Sequence, residues 1–418
     1  MYALLLPILL LGFAGQAQPQ CLAANGVLPT QVNTNLAGIA GFGIDLYKQL
    51  PQITAGGKRD NHFFSPYSLW SALSLAYMGA NGNSATQLRK ALRLSSKADT
   101  LKLVNILKLI NKRRAQRPSN FTLQDANRVY VDDEVVLKND IQKHLLGLLQ
   151  VVDFADTVGS ANLINNFVAT TTNNLIPTIL TSQDLIDGLM VIVNAVYFKG
   201  KWTYTFEQRD TRNRNFFTTP NAAPQSIPMM TQMANLKYSE SAQIGARILE
   251  LPYSGGLIFM YVLLPATEGE AGWNNMVGAL NGQTLHQALW GPSNFVQRKV
   301  DVLLPKFKVE KMLRDELRDG LRGMGVTDIF NSTYADLSCF SIRPDLVISK
   351  TIHKAFVDIS EEGTEAAAAT ALIAVTRSGH SQRQDITRFH LDRPFMYLIV
   401  DKLTKNLLFL GTYMDPSA

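Results

Sequence analysis

The residues that could perform chemistry are few and scattered along this 418-residue chain. Ser378 and His380 stand two residues apart in a polar stretch, and a serine beside a histidine is the pairing that nucleophilic hydrolysis needs. No acid is placed by the sequence to orient that histidine, and the GxSxG, HExxH, GxGxxG and Walker motifs are all absent. We therefore predict that the protein is not an enzyme, that it has no catalytic residues and that it requires no cofactor.

Cysteines are as sparse as catalytic groups. Cys21 and Cys339 are the only two, which excludes a four-cysteine zinc site and a disulfide framework, so no structural metal is predicted. In an oxidising compartment the two cysteines can pair if their Cα atoms come close enough. A free, buried Cys339 is the alternative, and the sequence leaves both open.

The chain opens on an uncharged apolar leader. Residues 1–17 contain an apolar run from Ala3 to Ala14 and end on the small residues Gly15 and Ala17. This pattern predicts a secretory signal peptide cleaved after Ala17, and hence an extracellular protein. The alternative is a retained anchor helix, because the leader lacks the usual basic residue at its start.

Two acceptor sequences for N-glycosylation fit the same compartment. Asn120 and Asn331 each begin an N-x-[ST] triplet without proline. Such triplets are common by chance, so they support secretion only because the leader already predicts it. We predict a secreted glycoprotein modified at these two positions.

Apolar periodicity outlines one mixed domain over residues 18–418. Helical spacing runs from Asn35 to Leu50, and a serine before proline at Ser65 and Pro66 predicts the start of a second, buried helix. Continuous apolar runs rich in β-branched and aromatic residues predict strands buried on both faces. These runs are Met190 to Phe198, Ile258 to Leu264 and Phe395 to Val400. The sequence therefore predicts an α+β protein with a large sheet.

One segment has no settled local preference. Ala366 to Ala371 favours a helix, whereas Leu372 to Thr376 favours a strand. The polar stretch from Arg377 to Asp385 follows, and it predicts an exposed loop between two buried strands.

Five motifs in this order resemble the serpin family over nearly the whole mature chain. They are NHFFSPYS from Asn61 to Ser68, NAVYFKGKW from Asn194 to Trp202, HKAF from His353 to Phe356, EEGTEAAAAT from Glu361 to Thr370 and DRPF from Asp392 to Phe395. The resemblance implies a monomeric α+β fold of three β-sheets and about nine helices, with a reactive-centre loop at about 361–390. It also implies suicide inhibition of serine proteases, in which the cleaved loop inserts into the main sheet and carries the trapped acyl-enzyme with it.

Loop insertion places a physical demand on the hinge of that loop. The hinge residues are Glu361, Gly363, Thr364, Glu365, Ala366, Ala367, Ala368, Ala369 and Thr370. Side chains of an inserted strand alternate between two faces, so small residues at 364, 366, 368 and 370 can enter a packed sheet while Glu365 faces water. Thr364 and Arg377 are thirteen steps apart, about 43 Å in a strand, which would carry a protease to the opposite pole. A non-inhibitory serpin that carries a ligand or binds a partner is the alternative.

The family spacing selects the scissile bond. Arg377-Ser378 follows because the bond usually lies after the sixteenth residue beyond the first hinge glutamate, here Glu361. An arginine there suits a primary pocket that ends in an aspartate, which predicts trypsin-like target proteases of coagulation or of innate immunity and melanisation. Arg383 is a competing arginine that would lengthen the loop.

Six further positions match family motifs that govern opening of the sheet. Ser65, Ser68, Asn194 and His353 match the shutter beneath the point where the sheet parts, and Trp202 matches the breach at its top together with Glu361. Buried polar groups there must keep partners whether the strands are joined or parted. The alternative is that each is an ordinary satisfied core residue.

A basic stretch lies between Arg89 and Arg117. It holds ten basic residues and a single acid, Asp99, which exceeds the +6 net charge of the whole chain. The region corresponds to the basic helix of heparin-binding serpins, and we predict a sulfated polysaccharide as an optional cofactor. The residues proposed for it are Lys102, Lys108, Lys112, Arg113 and Arg114. A solvated surface is the alternative, and neither nucleic acid nor a membrane is an expected partner.

Overall fold

The structure, a computed structural model, describes residues 21–22, 36–115, 121–291, 295–343, 345–363 and 385–418. The predicted leader, Asn120, hinge residues 364–370 and the Arg377-Ser378 bond lie outside these ranges. Within them, no helix combines the length and apolar character needed to cross a bilayer.

Nine α-helices lie in the described parts of the chain. They are α1 (Ala37–Gln49), α2 (Pro66–Gly79), α3 (Gly82–Ala91), α4 (Lys97–Ala115), α5 (Asn139–His144), α6 (Thr157–Thr171), α7 (Gly269–Ala279), α8 (Gly282–Trp290) and α9 (Asp315–Gly323). Helix α2 begins as predicted: the Ser65 hydroxyl accepts a hydrogen bond from the Ser68 amide at 3.0 Å, and Pro66 occupies the first helical turn. All 14 of its residues are buried, which confirms a helix inside the core.

Fourteen strands accompany these helices in the same ranges. They are β1 (Phe63–Phe64), β2 (Phe121–Asp132), β3 (Leu149–Val152), β4 (Met190–Gly200), β5 (Arg212–Phe216), β6 (Gln225–Ser241), β7 (Ala246–Pro252), β8 (Ile258–Pro265), β9 (Val296–Pro305), β10 (Phe307–Leu313), β11 (Lys350–Ile359), β12 (Thr387–His390), β13 (Phe395–Asp401) and β14 (Asn406–Tyr413). The three apolar runs are confirmed as β4, β8 and β13. The exposed loop expected to reach about residue 390 ends earlier, because Thr387–His390 pair with β9 as a parallel strand.

The strands form two hydrogen-bonded sheets in the described residues. The order in the five-stranded sheet is β10-β11-β4-β2-β3, and the larger sheet runs β1-β14-β13-β8-β7-β6-β9-β12 with β5 on β6. Strand β6 is 17 residues long and pairs with β5, β7 and β9. Strand β6 therefore connects, within one hydrogen-bonded sheet, strands that the resemblance assigns to two separate sheets.

The central strand β4 is buried on both faces. Ile192 and Val196 of β4 join the large core cluster that also contains α2, while Val191, Val193 and Ala195 join a second cluster beneath α6. Alternate side chains of the strand thus enter different cores. This double burial explains why β4 is a continuous apolar run in the sequence.

A disulfide joins the beginning of the described chain to the segment that precedes β11. Cys21 and Cys339 are bonded, with their Cα atoms 5.4 Å apart. The Cys339 amide also donates to the Gly79 carbonyl at the end of α2, at 3.0 Å. The two cysteines are therefore paired, and the alternative of a free Cys339 is wrong.

Candidate functional site

The centre of the five-stranded sheet is a parallel strand pair. Strands β4 and β11 are neighbours with a register that runs from Lys350 opposite Val191 to Phe356 opposite Tyr197. Both strands continue for three more residues, to Gly200 and to Ile359, beyond the last paired position. The ladder between them therefore ends before the strands do, which leaves a wedge at the top of the sheet.

A tight turn after β11 occupies the mouth of this wedge. Gly363 pairs antiparallel with Lys201 at the end of β4 and with Ser360 at the end of β11. Its φ of +120° is a conformation that only glycine adopts easily, and a side chain at this position would overlap the Gly200 carbonyl oxygen. This backbone requirement explains the glycine of the EEGTE motif. At Gly363 the chain has turned back, so that it pairs with the residues that follow β4 and β11.

Trp202 holds the turn against the end of β4. Its indole nitrogen donates to the Ser360 carbonyl at 3.0 Å, and its amide donates to the Glu362 carbonyl at 2.9 Å. The indole ring stacks on Tyr253 with centroids 4.3 Å apart. Trp202 is thus placed at the top of the sheet, where the motif predicted it.

Glu361 fixes the other side of the turn. Its carboxylate pairs with Lys306 at 2.8 Å and accepts a hydrogen bond from the Thr211 hydroxyl at 2.9 Å. Burial by itself would raise the pKa of Glu361, but the hydrogen bonds from Lys306, its own backbone and Thr211 outweigh it and hold the pKa below its usual value. The carboxylate is therefore ionised at neutral pH and anchors the start of the hinge.

Four predicted shutter residues meet in one buried network halfway down the same strand pair. The Asn194 amide donates to the Ser68 hydroxyl at 2.6 Å, and its oxygen bonds the Nδ1 of His353. The Nε2 of His353 accepts from the Ser65 amide at 3.2 Å, and the Ser65 hydroxyl donates to the Leu408 carbonyl at 2.6 Å. The network ties β4, β11 and the first turn of α2 together at the point where the central ladder would have to part.

The bonding of His353 defines its protonation state. Nε2 faces the backbone N–H of Ser65, which can only donate, so Nε2 must accept and the ring proton lies on Nδ1 toward Asn194. Burial lowers the pKa of His353 to about 3, because no acid compensates a charged ring in this site. A second proton would replace the Ser65 bond by a contact between two donors.

Asn127 on β2 is the network member that sequence reasoning missed. Its side-chain oxygen accepts from the Ser68 hydroxyl at 3.0 Å and also from the Asn194 amide. Its own amide donates to Asp125 at 3.2 Å. Polar residues are frequent along β2, so no signal in the sequence singled out Asn127. Lys306 and Thr211 carried no signal either, since each reaches Glu361 from a distant part of the chain.

The predicted basic helix is α4. Lys102 is half-buried and the Lys108 side chain is exposed. Partial desolvation of the Lys108 ammonium group lowers its pKa, and the nearby Asp125 carboxylate partly offsets that shift. The backbone of Lys112, Arg113 and Arg114 lies in the last turns of the helix, and their side chains are outside the described set.

Asn331 is exposed in a turn after a short 3-10 helix. Its side-chain oxygen accepts from the Thr333 amide at 2.9 Å. The acceptor triplet is thus accessible on the surface, as glycosylation requires, and the modification itself stays a prediction.

Comparison with known proteins settles the family. The family model for serpin, serine protease inhibitor, matches residues 37–416. The chain belongs to the serpin family. The α+β class and the serpin fold predicted from the motifs are confirmed.

This serpin matches other members of the family over about nine tenths of its length. Leukocyte elastase inhibitor of Xenopus laevis is 34% identical over 384 residues, which cover 90% of this chain and 97% of that relative. The structure of uncleaved ovalbumin matches with a TM-score of 0.75 and 27% identity, over 91% of this chain and 99% of that one. Native protease nexin-1 with heparin matches with a TM-score of 0.76 and 27% identity, over 92% and 100%.

Two buried histidines predict how the free energy of unfolding depends on pH. Burial lowers the pKa of His353 to about 3 and that of the buried His62 to about 4, from 6.5 in each case. Between these values and 6.5 the unfolded chain binds more protons than the folded serpin. The free energy of unfolding should therefore be highest above pH 6.5 and fall as the pH drops below it, by about 1.4 kcal/mol per pH unit for each histidine.

Urea unfolding of the wild type and of His353→Gln and His62→Gln variants, from about pH 7 to about pH 5, measures this dependence. The slope of the free energy of unfolding against pH contains a contribution from these two histidines. Each single variant should lose about half of that contribution, and the double variant nearly all of it. Both variants will also be less stable at neutral pH, so the slope is the decisive quantity. A full wild-type slope in His353→Gln would contradict the neutral, buried ring.

Proposed function

We propose that this serpin is a secreted suicide inhibitor of trypsin-like serine proteases that traps the acyl-enzyme after cleavage at Arg377-Ser378. The observation that carries the proposal is the wedge between β4 and β11 with Gly363 already paired across it. A chain continuing from Gly363 would run antiparallel to both strands. One parallel ladder would then be exchanged for two antiparallel ones, which are more numerous and slightly stronger per residue.

Around the wedge, one face of the sheet is closed and the other is partly open to solvent. This difference fits an inserted strand with small residues on one face and a charged residue on the other. On β11 the alternate residues Lys354 and Phe356 are half-buried, whereas His353, Ala355 and Val357 face the closed core. One face of the upper sheet is therefore partly open to solvent. The predicted alternation places the small side chains of Ala366 and Ala368 on the closed face and Glu365 on the open one.

Secretion is supported by two independent features. The leader has the pattern of a signal peptide, and the Cys21–Cys339 disulfide is of the kind that persists in oxidising compartments. We propose glycosylation of Asn120 and Asn331 on the same basis, and control of an extracellular cascade, coagulation or innate immunity, from the arginine at the reactive bond. A non-inhibitory serpin that binds a ligand or partner is the rival function.

Incubation with trypsin tests the reactive bond. The wild-type serpin should form a complex that survives denaturing electrophoresis and should release a peptide that begins at Ser378. The Arg377→Ala variant should lose this complex, because a guanidinium in the primary pocket supplies a charge-assisted, bidentate contact that alanine cannot replace. The rate of trypsin inhibition is measured in parallel.

Arg383→Ala is the matched control for this experiment, and it should inhibit trypsin like the wild type. Loss of inhibition in Arg383→Ala with retention in Arg377→Ala would move the bond to Arg383. Cleavage of the wild type without any complex would favour the non-inhibitory rival.

A charge scan of the hinge tests insertion itself. Ala368→Arg would place an unpaired charge on the closed face of the inserted strand, and Ala367→Arg would place the same charge on the open face. An increase of about 1.4 kcal/mol in the insertion barrier shifts the partition between trapping and release about tenfold. Ala368→Arg should therefore be cleaved as a substrate, while Ala367→Arg should remain an inhibitor. Equal behaviour of the two variants would contradict the proposed alternation.

We also propose that α4 binds a sulfated polysaccharide that speeds association with the protease. The charge imbalance of the helix supports this proposal, and a structurally similar protein, protease nexin-1, was solved with heparin. The ligand set is Lys102, Lys108, Lys112, Arg113 and Arg114.

Heparin affinity chromatography tests the polysaccharide site. The wild type should elute above physiological salt, about 0.15 M, and Lys102→Ala combined with Arg113→Ala should elute earlier because two charges are lost. The double change Lys138→Ala and Lys143→Ala near α5 removes equal charge from exposed positions and should leave elution nearly unchanged. Equal shifts in both double variants would show that heparin senses only net charge.

A further inference from the structure

A cavity lies apart from the five-stranded sheet and its hinge. It has a volume of about 260 Å³ and opens between the segment after β5, the start of α7 and the turn before β13. Arg59, from the segment between α1 and β1, closes one side. None of its lining residues belongs to β4, to β11 or to the turn at Gly363, so protease inhibition gives it no role.

Two largely buried guanidinium groups face this cavity without a close ion pair. The side chains of Arg59 and Arg393 are each 19% exposed. Arg59 approaches Glu270 at 3.6 Å, and Arg393 approaches Glu268 at 3.5 Å, although both glutamates are mostly exposed to solvent. Several other ion pairs of this serpin are shorter, between 2.6 and 2.8 Å, as at Lys311–Asp60, Lys306–Glu361 and Arg314–Asp184. Pairs as long as those of Arg59 and Arg393 also occur, as at Lys237–Glu250 and Arg322–Asp319.

Arg393 also retains an unused donor. Its Nε is buried and has no hydrogen-bond partner in the part of the chain that the structure describes. The contact of its Nη1 with the neighbouring Asp392 is long, at 3.4 Å. A buried guanidinium N–H without an acceptor is costly, so the protein alone leaves Arg393 incompletely satisfied.

Part of the remaining wall is apolar and rigid. Trp273 on α7 is 5% exposed, and it lines the cavity together with Phe217, Pro220, Pro265 and Pro394. Polar residues line the rest of the wall, namely Thr218, Thr219, Thr267, Glu268 and Asp392. Proline and aromatic surfaces lose little conformational entropy when a flat ring packs on them.

We propose that this cavity binds a small aromatic carboxylate, with the carboxylate between Arg59 and Arg393 and the ring against Trp273 and the prolines. A carboxylate matches the planar guanidinium fork and can accept hydrogen bonds from the two arginine side chains that line the cavity. An aromatic ring of one or two cycles fits the volume and the apolar wall.

Glu268, an acidic residue of the cavity wall, already contacts Arg393 and would compete with a ligand carboxylate. Its side chain is 65% exposed and therefore well hydrated. A ligand carboxylate must displace this loose contact. Removing the charge of Glu268 should therefore strengthen binding, whereas removing the charge of Arg59 should weaken it.

Equilibrium dialysis of the full mature protein against indole-3-acetate tests the site, with the neutral indole-3-acetamide as the matched ligand. The acid should bind with a Kd below about 1 mM, and the amide about tenfold more weakly. Arg59→Gln should weaken binding of the acid about tenfold, and Glu268→Gln should tighten it several-fold. Arg214→Gln, which removes an exposed arginine of β5, is the control and should bind like the wild type.

A second variant tests the cavity rather than its charge. Thr219→Trp places a large ring at an exposed position of the wall and should block entry while both arginines remain. Retained trypsin inhibition and an unchanged thermal transition verify folding of each variant. Absence of binding up to about 1 mM, equal binding of acid and amide, or wild-type affinity in both Arg59→Gln and Thr219→Trp would overturn the proposal.

Discussion

The parallel pairing of β4 with β11 is the contact on which the rest of this serpin depends. The two strands form the middle of the five-stranded sheet, yet their ladder stops at Phe356 opposite Tyr197. Every other ladder of that sheet except β2 with β3, at its edge, is antiparallel. A parallel ladder that ends before its strands do therefore lies at the centre of the sheet, and parallel pairing is slightly less stable per residue than antiparallel pairing.

Two polar clusters hold this strand pair together, and they differ in kind. At the top, Trp202 and Glu361 hold the turn by bonds to backbone and by an ion pair that is open to solvent on the Lys306 side. Halfway down, His353 and Asn194 lie in a fully buried network of neutral groups. The ion pair is open to water only at Lys306, because the Glu361 side chain is 9% exposed, so breaking the pair would leave a largely buried charge without its cation. The shutter network resists parting for a different reason, because each buried neutral group would lose a hydrogen-bond partner.

The larger sheet forms a separate hydrogen-bonded unit beside this strand pair. Its long strand β6 joins β5, β7 and β9, and the disulfide ties Cys339 to the beginning of the described chain beside the end of α2. The cavity with Arg59 and Arg393 borders the larger sheet, at Pro265 of β8. A ligand there would bind without disturbing the pairing of β4 and β11, so the two sites can be tested separately.

The sequence by itself determined the element types and the family. Continuous apolar runs predicted β4, β8 and β13, serine before proline predicted the start of α2, and ordered motifs identified Ser65, Ser68, Asn194, His353, Trp202 and Glu361. These signals are local, since burial periodicity and capping are properties of a few consecutive residues. The tertiary structure decided which distant groups complete each site: Asn127 in the shutter, Lys306 and Thr211 at Glu361, the pairing of Cys21 with Cys339, and two loosely paired arginines around one cavity. Such contacts join residues up to 318 positions apart, and only strand order and register bring them within bonding distance.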